Sequence, residues 1–107
     1  MRLQGRVTAI TGGALGIGRA TGLAFAAEGA LVALGDVELD AAETVVREIR
    51  ERGGQAIAVR VDVGDAGQVQ AFVDAVVTAF GRLDVMFANA GIAHSAPFLD
   101  HPEAQWH

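Results

Sequence analysis

The sequence contains no cysteine and no tyrosine, and all eight of its basic residues are arginine. Serine and tryptophan occur once each, as Ser95 and Trp106. Without cysteine there is neither a disulfide nor a thiolate metal site. Without lysine the phosphate-loop NTPase motif is excluded, because its lysine reaches the terminal phosphates. The net charge is −5 and no basic tract occurs. This argues against nucleic acid as the main partner, since phosphate contacts need clustered Lys and Arg. No apolar run approaches the roughly 20 residues of a membrane span. Met1 to Arg6 leads straight into a strand-like segment, with no room for a signal peptide. These absences predict a soluble, cytoplasmic protein.

Other residue types are present without a pattern that gives them chemistry. His94, His101 and His107 lie seven and six residues apart, which matches no common metal-ligand spacing, so no metal is expected. Ser95 follows the last strand-like segment without the base that a nucleophile needs. Trp106 reads as core for a helix that the 107 residues do not complete.

What the sequence does have is alternation. Val7–Thr11 is a short β-rich run ended by Gly12-Gly13, and 16–28 reads as a helix closed by Gly29. Residues 30–34 are apolar throughout, as buried parallel strands are. A helix is predicted over 38–52, with Leu39, Ala42, Val45, Val46 and Ile49 on one face and Gly53-Gly54 as its stop. Residues 56–62 alternate as a strand, and a charged Arg60 inside it suits a sheet edge. The third helix is predicted over 66–80, with Val69, Phe72, Val73, Val76 and Phe80 inward and Gly81 closing it. Asp65 and Gln68 stand at capping-box spacing at its start. Residues 84–89 form the fourth strand.

The order β-α-β-α-β-α-β implies a doubly wound parallel sheet with right-handed crossovers and strand order 3-2-1-4. No linker divides the chain, so residues 1–107 read as the N-terminal half of one dinucleotide-binding domain, truncated after the fourth strand.

The strongest local signal lies between the first strand and the first helix: Thr11-Gly12-Gly13-Ala14-Leu15-Gly16-Ile17-Gly18. Gly12 lets the chain turn out of the strand, Gly16 keeps side chains away from a ligand, and Gly18 lets the helix lie close to the sheet. The helix N-terminus then offers free N–H groups and a partial positive charge to a pyrophosphate. Asp36 lies 18 residues beyond Gly18, at the end of the second strand. A carboxylate there can accept hydrogen bonds from the adenosine ribose and repel a 2′-phosphate. Its neighbours Gly35, Val37, Gly13 and Ala14 carry no positive charge, so NAD is favoured over NADP. Alternatively, Asp36 caps the second helix.

These motifs are similar to those of the short-chain dehydrogenases/reductases. Thr11 to Gly18 match that family's Thr-Gly-x-x-x-Gly-x-Gly. Asn89-Ala90-Gly91 matches the end of its Asn-Asn-Ala-Gly, with Ala88 in place of the first Asn, and Asp62-Val63 matches a weaker third signature. The resemblance implies a Rossmann-type fold and a cofactor site made of Gly12, Gly16, Ile17, Gly18, Asp36, Asp62, Val63, Asn89 and Gly91. Asp62 is expected beside the adenine amino group with Val63 on the ring, or else as a solvated turn residue. Asn89 is expected on the adenosine side of the cofactor or tying the fourth strand to its neighbour.

Family members interconvert alcohols and carbonyls with a Ser, an Asn and a Tyr-x-x-x-Lys pair. No residue of this sequence matches that set, so these 107 residues alone are not expected to turn over. The expected function is the NAD(H)-binding portion of such an oxidoreductase. A non-catalytic dinucleotide-binding or interaction module is the alternative. A methyltransferase-like domain is a weaker third reading, because its loop is usually closer to Gly-x-Gly-x-Gly. The fourth strand is expected to be an open apolar edge that self-associates or docks on a complementary chain.

Overall fold

The computed structural model describes residues 3–12 and 16–88. In chain order the elements are β1 (Val7–Thr11), α1 (Gly16–Ala27), β2 (Leu31–Asp36), α2 (Leu39–Glu51), β3 (Gln55–Arg60), α3 (Ala66–Phe80) and β4 (Val85–Ala88). The strands form one parallel sheet in the order β3-β2-β1-β4. This is the predicted doubly wound, Rossmann-type arrangement.

Burial explains each strand's place. Every residue of β1 is buried, as a strand with neighbours on both sides and helices on both faces requires. In β2 the four inner residues are buried. β3 exposes both its ends, Gln55 and Arg60, in keeping with the edge position that Arg60 suggested.

Side chains alternate between two cores. Ile10, Val32, Leu34 and Ala56 pack with Ala42, Val45, Val46 and Ile49 of α2. Val7, Ala9, Ala33 and Val61 pack with Phe72 and Val76 of α3 on the opposite face. The apolar faces predicted for α2 and α3 are therefore the buried ones, although Leu39, Val69, Val73 and Phe80 are only half-buried.

The helix boundaries agree with the sequence to within a residue at either end. Two strand ends differ by two residues, and the other strand boundaries by at most one. β2 runs to Asp36 rather than stopping at Leu34, because Gly35 is still in register with Thr11 on one side and Val59 on the other. β3 stops at Arg60 rather than Asp62. The Asp62 amide donates to the Gln68 side-chain carbonyl at 2.9 Å, which turns the chain away from the ladder.

That bond also alters the predicted capping box. Asp65 is the N-cap of α3 and its carboxylate accepts from the Gln68 amide at 3.1 Å, as expected. Gln68 does not return the bond to the Asp65 amide. Its Oε1 holds Asp62 instead, while the Asp65 amide donates to the Asp62 carbonyl at 3.0 Å. The cap therefore fixes the whole loop between β3 and α3.

Candidate functional site

In a parallel sheet all strand C-termini lie along one rim, and the described candidates Gly12, Gly16, Ile17, Gly18, Asp36, Asp62 and Val63 follow or end strands there or open the helix after β1. Gly12 follows β1 with φ 69°, and its amide donates to the Gly35 carbonyl at 2.7 Å. Gly16 opens α1 with φ 56°, a conformation that strains any residue bearing a Cβ. A Cβ placed there would meet no atom of the described residues within 4 Å. The first turn of α1 contains no acidic residue to oppose the positive end of the helix. Ile17 projects from this turn and is 64% exposed.

Gly18 is buried, in keeping with close packing of α1 on the sheet, and Gly22 one turn later is buried with it. A Cβ at Gly22 would come within 3.2 Å of Leu34 Cδ2. Sequence reasoning passed over Gly22, although two glycines four apart fall on one helix face and mark a close approach.

Asp36 is the last residue of β2, and its Oδ1 accepts from the Glu38 amide at 2.9 Å. Glu38 is itself the N-cap of α2, which has no side-chain cap. The carboxylate thus shapes the turn into α2.

Asp62 is exposed, and its Oδ1 accepts from the Gly64 amide at 2.9 Å. Val63 is 41% exposed. Val37, just after β2, is 45% exposed and was not singled out by its sequence. Among the described residues, Ile17, Val37 and Val63 make three of the four large apolar side chains that are clearly exposed, and all three sit on this rim. An isolated exposed valine is unremarkable, so only their grouping on this rim carries the signal.

Thr11, the last residue of β1, is 2% exposed, and its Oγ1 has no hydrogen-bond partner among the described residues. An orphaned buried hydroxyl is uncommon in a finished core. It lies directly before Gly12. The room beside Gly16 among the described residues, the unopposed helix terminus, the acid ending β2 and this orphan hydroxyl together fit a dinucleotide laid across the rim. Gly13, Ala14, Asn89, Gly91, Ser95, Trp106 and the three histidines lie outside the described residues.

One premise of the cofactor reading is corrected by the sheet. The neighbours of Asp36 along the chain are uncharged apart from Glu38, but its partner across the β2–β3 ladder is Arg60. A basic residue therefore stands beside the acid, brought there by strand pairing 24 residues later in the sequence.

The fold and this rim define a Rossmann-type dinucleotide-binding architecture. The chain belongs to the short chain dehydrogenase family, whose family model matches residues 6–107. It is 44% identical over 105 residues to a 2,5-dichloro-2,5-cyclohexadiene-1,4-diol dehydrogenase of Sphingobium indicum, covering 98% of this chain and 42% of that protein. It is 41% identical over 106 residues to a 3-oxoacyl-(acyl-carrier-protein) reductase of Thermotoga maritima, covering 99% of this chain and 43% of that one. Among solved structures, a hydroxysteroid dehydrogenase from Escherichia coli superimposes with a TM-score of 0.81 at 39% identity, over 82% of this chain and 37% of that one. The chain thus spans less than half the length of these relatives. No helix among the described residues is long and apolar enough to cross a membrane.

Proposed function

We propose that the chain is the NAD-binding portion of a short-chain dehydrogenase/reductase that interconverts a small-molecule alcohol and carbonyl in the cytoplasm. The observation that carries this reading is Asp36 at the end of β2, next to Gly35, whose carbonyl accepts from the Gly12 amide at the end of β1. Gly12, Gly16, Ile17 and Gly18 would hold the pyrophosphate, and Asp36 the adenosine ribose. Asp62, Val63, Asn89 and Gly91 complete the proposed site. A bound nicotinamide ring supplies the hydride acceptor or donor. The residues of this chain bind and orient the adenosine end.

The dehydrogenases and the reductase it is similar to are named for chemically unlike substrates, a ring diol, a 3-oxoacyl group on an acyl carrier protein and a hydroxysteroid. The proposed substrate class is therefore no narrower than alcohols and carbonyls. The sequence holds no tyrosine and no lysine. These residues by themselves supply no Tyr–Lys pair for proton transfer, which favours binding without turnover as their own contribution. Association of β4 with a further strand belongs to the same proposal. β4 is an edge strand among the described residues, and all four of its residues are half-buried.

The test is thermal unfolding with each dinucleotide. A ligand that binds only the folded state raises Tm by mass action. NAD is expected to raise it more than NADP, and Asp36→Ala is expected to narrow the difference. A folded chain whose Tm responds to neither dinucleotide would defeat the reading.

A further inference from the structure

Asp36 and Arg60 form the last pair of the β2–β3 ladder. Residues in register on adjacent strands lie about 4.8 Å apart and project to the same face. Here that face is the one covered by α2, because Val32 and Leu34 precede Asp36 on it, and Ala56 and Ala58 precede Arg60. An acid and a base thus stand side by side at the rim where the ribose is proposed to bind.

The other described arginines are engaged or distant. Arg19 pairs with Glu48 and Arg82 with Asp84. Arg50 donates to the Ala56 carbonyl and Arg47 to the Thr44 hydroxyl. Arg6 precedes β1 and Arg52 precedes β3, at the opposite rim of the sheet. Arg60 is exposed, ends an edge strand, and takes part in neither ion pair among the described residues.

We propose that Arg60 is a second specificity-determining residue at the ribose 2′ position, acting opposite in sign to its neighbour Asp36. The proposal rests on the dinucleotide reading above. Asp36 accepts from a 2′-hydroxyl and repels a 2′-phosphate. A guanidinium next to it offers that phosphate a forked, charge-assisted contact and offsets the repulsion. The preference for NAD is therefore a balance between two adjacent charges and is smaller than Asp36 alone would impose. Removing the acid leaves a ready phosphate site, and removing the base sharpens the discrimination.

The test is isothermal titration of the full chain with NAD, NADP and adenosine 2′,5′-bisphosphate, which reports the 2′ end alone. Arg60→Gln is expected to raise the NAD-over-NADP affinity ratio by about threefold to fivefold, the size of an exposed charge contact. Asp36→Asn is expected to tighten adenosine 2′,5′-bisphosphate by about tenfold. The double variant D36N/R60Q loses that gain, and added salt weakens the bisphosphate on D36N much more than on the double variant. Arg52→Gln, which removes the same charge at the far rim, leaves the ratio as it is. If D36N/R60Q binds the bisphosphate as tightly as D36N while NAD still binds the wild type, Arg60 has no such role. If no variant binds any of the three ligands, the dinucleotide reading itself fails and the proposal falls with it.

Discussion

Asp84 and Val7 exchange two hydrogen bonds where β1 and β4 begin. The Asp84 amide donates to the Val7 carbonyl at 2.9 Å, and the Val7 amide donates to Asp84 Oδ2 at 2.8 Å. The other carboxylate oxygen accepts from Arg82 Nη2 at 2.6 Å. The side chain thus starts the ladder one residue before the first β1–β4 pair, Thr8 with Val85, and sets its register. A one-residue slip would turn Met86 and Phe87 to the wrong cores.

The Val7 amide, and then the Arg82 guanidinium, hold the Asp84 carboxyl below its ordinary pKa of 3.8. Both interactions favour the ionised form, so the folded state binds the proton less readily than the unfolded one. The stabilisation is complete above the ordinary carboxylate range and is lost as pH falls through the depressed folded value. Asp84→Asn is therefore expected to lower Tm at neutral pH, with the gap to the wild type closing in acid. A gap that stays constant down to about pH 2 would contradict this.

Gly35 sits where β2 passes beneath α3. A Cβ there would fall 2.8 Å from Val61 Cγ1 and 3.0 Å from the Phe72 ring, and both of those side chains are buried. Gly35→Ala is expected to cost about 1–3 kcal/mol through overpacking. Urea unfolding measures this loss, and Phe72→Leu in the same chain should recover part of it. Simple additivity of the two changes would argue against a clash at this point.

Asp65 caps α3 and its backbone ties down the loop that carries Asp62 and Val63. Asp65→Ala is expected to lower stability by about 1 kcal/mol, the usual worth of an N-cap. Loosening the loop should also weaken dinucleotide binding beyond what the change in Tm accounts for. Calorimetry on the folded variant separates the two effects.

The β4 edge is expected to recruit another strand. Sedimentation velocity over a wide concentration range should show association that Val85→Pro reduces, because proline at the edge removes an amide from the strand. A single monomeric species at high concentration would refute association through this edge.

Much of the fold was legible because each element carries its own local chemistry. Gly81 ends α3 with φ 85°, Asp65 starts it, and the apolar spacing of Ala42, Val45, Val46 and Ile49 marks the face that α2 buries. These are short-range effects of backbone freedom, capping and helical period, and they act within a few residues. The order of the strands was legible too, since parallel connections have a fixed hand.

The glycine loop, the acid at Asp36 and the family resemblance were likewise contained in the sequence, because motif spacing is a local property. Their surroundings were not. The position of Arg60 beside Asp36, the grouping of Val37 with Ile17 and Val63 on one rim, and the pair of hydrogen bonds between Asp84 and Val7 all depend on which strands pair and in what register. Register follows from packing both faces of a sheet at once, a condition summed over the whole core. The sequence by itself determined which groups are available to bind a dinucleotide. The tertiary structure decided which charges stand next to each other at the rim, because only strand pairing brings residues 36 and 60 together.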